Sequence, residues 1–148
     1  MGLLDFMKKK PARPGLAEDI PKAEQWFVNN MHASGYPLDG TVESFRRLDL
    51  FFDSQSRPGG VLADGHPGSN LFAAGCYMGQ VFVRQLGGVW ETDDADPQGE
   101  VHVTVRLPDG SRVFPVEKAI KRLRNGEEDG LYVYGKFVAG QLKEVGDS

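Results

Sequence analysis

The stretch from Asn70 to Leu86 constrains the fold more than any other. Leu71, Phe72, Ala73, Ala74, Cys76, Tyr77, Met78, Val81, Phe82, Val83 and Leu86 leave it hardly a polar side. A helix that is apolar almost all round lies at the centre of a protein or in a membrane. The apolar run 71–83 is too short for the second, because a bilayer core takes about 20 residues. The segment therefore predicts a central helix over 70–86 on which the other elements pack. Ser69 or Asn70 can cap its start, and Gly87-Gly88 stops it. Gly75 and Gly79, four apart, allow another backbone close. Gln80 and Arg84, also four apart, mark a narrow polar stripe.

The flanking segments supply partners for that hub. Ile20, Ala23, Trp26, Phe27 and Met31 predict the inward face of a helix over 20–33, with Pro21 in its first turn. Val42, Phe45, Leu48, Phe51 and Phe52 predict a second helix over 41–54. Residues 56–68, rich in Gly and Pro, form a loop. The period then changes. Residues 89–92 read as a short strand, and Val101, Val103, Val105 and Leu107 alternate with polar residues as a half-buried strand does. Pro108-Asp109-Gly110 is a turn, so 112–115 return antiparallel. Val116, Ala119, Ile120 and Leu123 face inward on a helix over 116–125. Lys118, Lys121, Arg122 and Arg124 complement the negative end of its dipole. Residues 131–138 suit a strand by composition and a helix by spacing; helix is preferred, with Asp129 as its cap. The expected class is α+β, one domain of three to five helices on a small antiparallel meander of about three strands. Its expected limits are 16–140, between flexible ends at 1–15 and 141–148.

With 148 residues the chain can bury about 68% of its unfolded surface, enough for a core without staples. Its single cysteine excludes an internal disulfide framework and a multi-cysteine zinc site. A net charge of −4 argues against a general nucleic-acid binder. That charge is uneven. Lys8, Lys9, Lys10 and Arg13 against Asp5 give residues 1–14 a charge of +3, which leaves −7 on the rest. Leu3, Leu4, Phe6 and Met7 precede the lysines, an order opposite to that of a secretory signal. Residues 1–10 can instead touch a membrane surface, without stable insertion.

Few residues promise chemistry. Cys76 lies in the most apolar segment, which suits a buried structural thiol better than a nucleophile. His32, His66 and His102 are too far apart for a short-spaced zinc motif. Asp64-Gly65-His66, in the 56–68 loop, is the best candidate for a ligand or general-base pair, because an Asp can orient an imidazole. His102 is expected on the sheet surface. The acidic run Glu91, Asp93, Asp94, Asp96, Glu100 fails the EF-hand test: counted from Asp94, position twelve is Val105 where a bidentate Glu is required. It can instead steer a basic partner, with Trp90 as an aromatic anchor. Phosphate-binding loops and nucleophile-elbow motifs are absent from the sequence. No cofactor is called for.

Three stretches together look familiar: the run from Gly75 to Trp90, Leu107-Pro-Asp-Gly-Ser-Arg-Val-Phe-Pro115, and Lys121-Arg-Leu-Arg-Asn-Gly-Glu-Glu-Asp-Gly130. Their pattern resembles small bacterial domains of unknown function, in which a central helix runs into a Gly-Gly-x-Trp strand, a hairpin and a helix. Small acidic proteins of this style also resemble immunity proteins, which block secreted bacterial toxins. The resemblance implies a cytoplasmic protein-binding module with no catalytic residues to carry over. The leading expectation is thus a non-enzymatic binder of a protein partner through Trp90, Glu91, Asp93, Asp94 and Asp96. The alternative is a small enzyme or small-ligand binder using Asp64 and His66, and a third is a membrane-surface adaptor using residues 1–10.

Overall fold

The computed structural model describes residues 15–147. Among the described residues, five α-helices pack together beside a three-stranded antiparallel sheet, an α+β arrangement. The hub is helix α3 (Gly68–Leu86), with Ala74, Cys76, Met78, Val81 and Phe82 fully buried. Of its two small residues predicted to admit another backbone, Gly75 does so and Gly79 admits a side chain instead. Gly75 lies against the backbone of Val116, where a Cβ would come within 2.7 Å of the Val116 Cα. Gly79 lies under the ring of Trp90, which a Cβ would strike.

Helix α1 (Leu16–Ala33) buries Leu16, Ile20, Glu24, Phe27 and Met31 along one stripe. It starts a turn earlier than predicted, so Pro21 is inside the helix rather than at its start. Proline there removes a hydrogen bond to the carbonyl four residues back. That carbonyl belongs to Ala17, which is exposed and open to water. The extra turn is held by burial of Leu16 and Ile20 with Cys76, Val103 and Val116. Glu18 also closes it, accepting the Gly15 N–H at 3.1 Å.

Helix α2 (Phe45–Gln55) follows a 3-10 turn, Val42–Ser44, which Thr41 caps by accepting the Ser44 N–H. Strands β1 (Val89–Glu91), β2 (Thr104–Arg106) and β3 (Arg112–Val113) pair in chain order as a meander. The predicted alternation over 101–107 yields only three strand residues. Gln98 accepts the N–H groups of Val101 and His102, which turns that stretch out of the sheet. Helix α4 (Pro115–Asn125) and a 3-10 turn, Gly126–Asp129, lead to α5 (Leu131–Asp147). The ambiguous residues 131–138 are therefore helical, and the helical backbone continues past 141.

The cap of α5 is not Asp129. That carboxylate turns back to Lys118 and Asn125, at 2.9 and 2.7 Å. The N–H groups of Leu131 and Tyr132 donate instead to Asp49 of α2, at 2.9 and 3.0 Å. Asp49 also receives Arg122, and Asp53 receives the same guanidinium at 2.6 Å. Arg122 is only 3% exposed, so it is a buried tie between α2 and α4 and not an exposed complement to the helix dipole. No described helix is long and apolar enough to cross a membrane.

Candidate functional site

The acidic residues predicted as a partner surface are mostly engaged within the fold. Glu91 bridges two strands, accepting from Arg112 at 2.7 Å and Arg106 at 2.9 Å. Those two guanidinium groups hold its carboxyl below the usual carboxylate range. Asp93 accepts the Ala95 N–H in a local turn. Asp94 accepts the Leu16 N–H at 2.8 Å and so serves α1. Asp96 accepts from His102 Nδ1 at 2.7 Å and from the Gln98 N–H at 2.8 Å. Its pKa is lowered, first by His102, and the His102 pKa is raised by the same contact. His102 is thus exposed and paired, but in the turn before β2 and not on the sheet.

Trp90 is not presented as an open anchor. Its ring covers Gly79, and its Nε1–H donates to Gln80 Oε1 at 2.9 Å. Gln80 Nε2 in turn donates to Glu24, which receives Arg84 through both of its oxygens, at 2.7 and 3.1 Å. The polar stripe of α3 is therefore the inner half of a network that joins α1, α3 and β1. Cys76 is fully buried, and burial pushes its thiol well above the ordinary range, so thiolate chemistry is disfavoured.

The Asp64/His66 pair separates. Asp64 Oδ2 accepts the Gly59 N–H at 2.7 Å and closes its own loop. His66 instead lines a depression of about 740 Å³ with Trp26, Phe72, Ala23 and Glu100. Glu100 is also a wall of a second depression, about 430 Å³, lined by Leu16, Asp19, Asp94 and Asp96. The two share Glu100 and follow one another along α1, acidic at the helix start and apolar farther on, and are called the groove below. Among the described residues of its acidic end none is basic; Lys22 stands at the junction.

No family model, curated protein or solved structure matches this chain. The geometry of the groove therefore carries the functional argument. Its helical wall is the stripe Asp19, Ala23, Trp26, at helical spacing. Trp26 is 46% exposed, whereas the periodicity had predicted it inward. Neighbouring helix residues point about 100° apart, so Trp26 sits at the edge of the stripe that Ile20, Phe27 and Met31 define. The bulkier residue gave way because Phe27 aligns with Ile20 and Met31. Among the described residues no group of three or more His, Cys, Asp or Glu is placed to hold a metal ion. The membrane-surface role predicted for residues 1–10 lies outside the described residues.

Proposed function

We propose that this chain is a protein-binding module whose groove along α1 takes up a basic–apolar segment of a partner. One observation carries the reading: within one stripe of α1 the groove wall changes from carboxylate, at Asp19, to exposed aromatic, at Trp26. A partner side-chain run of Lys or Arg beside a bulky apolar residue matches both ends. The acidic end speeds encounter, and tryptophan is enriched among residues that carry binding energy. Trp26 takes the anchor role that sequence reasoning gave to Trp90. An immunity-type protein covering a basic toxin surface is one form of such a module.

The test is affinity capture from a lysate of the source cells with wild-type bait and with a Trp26→Ala, Glu100→Lys bait. The reading expects one stoichiometric protein that the variant loses. Equal recovery on both baits overturns it. A second reading, a small ligand in the same groove, is favoured by the His66 imidazole, which lines the depression that Trp26 and Phe72 also line. It expects a small molecule, lost with His66→Ala, in place of the protein.

A further inference from the structure

The acidic end of the groove lies at the start of α1. Gly15 is the N-terminal cap residue of α1, and Leu16 and Asp19 line the acidic end. Outward from that point the walls are first acidic, at Asp19, Asp94, Asp96 and Glu100, and then apolar, at Ala23, Trp26 and Phe72. The sequence read outward from Gly15 has the complementary order. It is first basic, at Arg13, Lys10, Lys9 and Lys8, and then apolar, at Met7, Phe6, Leu4 and Leu3.

We infer that residues 3–13 of this chain are themselves an occupant of the groove. The basic run lies along the carboxylates, and Phe6 and Met7 lie against Trp26. The inference rests on the groove being a binding site and adds that the chain carries its own competitor for it. The reach is sufficient. Trp26 lies about 15 Å along α1 from Leu16, at 1.5 Å per residue. The nine residues from Phe6 to Gly15 span up to about 30 Å when extended, about twice that distance. Tethering so close also raises the effective concentration to the millimolar range, so a weak contact suffices. An external partner must then displace the segment, which sets a threshold on binding.

The test uses the full chain. Gly2→Cys is spin-labelled in ¹⁵N-enriched protein; Cys76, fully buried, stays unmodified. The readout is broadening of the Trp26 indole N–H signal, assigned with Trp26→Phe. The inference expects strong broadening that falls several-fold when Lys8, Lys9 and Lys10 are all changed to Glu, and that weakens with added salt. Broadening that charge reversal leaves unchanged overturns it. So does broadening seen only when spin-labelled protein without isotope is mixed with enriched protein lacking the label, which assigns the groove to a second copy. Partner capture by the groove does not depend on this result, so either reading can fail alone.

Discussion

Asp94 accepts the backbone N–H of Leu16 across 78 residues, and so the acidic loop caps the helix that lines the groove. Asp49 does the same for Leu131 across 82 residues. Both helices are entered through a glycine, Gly15 or Gly130, which has no side chain to offer the orphan N–H groups. A distant aspartate supplies what the local residue lacks. The arrangement also locks the loop to α1, which holds the two walls of the acidic end together.

Asp94→Ala is therefore expected to cost about 1 kcal/mol, the ordinary value of a lost N-cap. Asp93→Ala, one residue away but bonded only within its own turn, is expected to stay within about 0.5 kcal/mol of wild type. Urea unfolding of the two variants checks this. Equal losses would mean that the loop acts through its charge and not through the cap.

The Asp49–Arg122 contact makes a larger prediction. Arg122→Met leaves Asp49 without its buried partner, and breaking such a pair costs about 3–5 kcal/mol. Asp53→Asn is milder, because Asp53 is half-exposed and keeps an oxygen to accept from Arg122. Asp49→Asn is expected between them, since an amide oxygen can still accept one N–H of α5 but loses the charge. The order of the three midpoints in urea is the check.

These ties show where local reading stops. The central helix and the meander about Pro108-Asp109-Gly110 follow from patterns a few residues long, and the structure has them; the helix at 131 is present too, but its cap is Asp49 and not the local Asp129. Arg122 stands among Lys118, Lys121 and Arg124, and nothing local says which of the four is buried. Its carboxylate partners lie some seventy residues earlier, at Asp49 and Asp53. The groove was hidden for the same reason. Its acidic wall and the His66 loop are separate in sequence, and α1 brings them to one face. The alternation over 101–107 misled because a strand needs a partner as well as a pattern, and Gln98 claims the N–H groups of Val101 and His102 first.

The Asp96–His102 pair predicts a pH window. His102 has its pKa raised above 6.5, so its stabilising share is full below that value and is lost as pH rises through the folded pKa. Asp96 has its pKa lowered below 3.8, so its share is present above that value and is lost as pH falls through the folded pKa. The pair therefore acts between about pH 4 and 6.5 and fades above it. His102→Gln is expected to lower the urea midpoint at pH 5 and to match wild type more closely at pH 8. A gap that is the same at both values would show that the ring contributes packing and not charge.

The two tryptophans separate stability from binding. Trp90 fills the space above Gly79 and satisfies Gln80, so Trp90→Ala is expected to cost about 3 kcal/mol, as loss of a packed aromatic does. Trp26 stands 46% exposed in the groove, and Trp26→Ala is expected to cost under about 1 kcal/mol. The same Trp26 change is expected to abolish partner capture. Calorimetry gives the first comparison, and capture by the folded Trp26 variant gives the second. A Trp26 variant as unstable as the Trp90 variant would place that ring in the core and remove it from the site. A stable variant that still binds would leave the groove without its anchor, because among the described residues of its apolar wall Trp26 is the exposed indole.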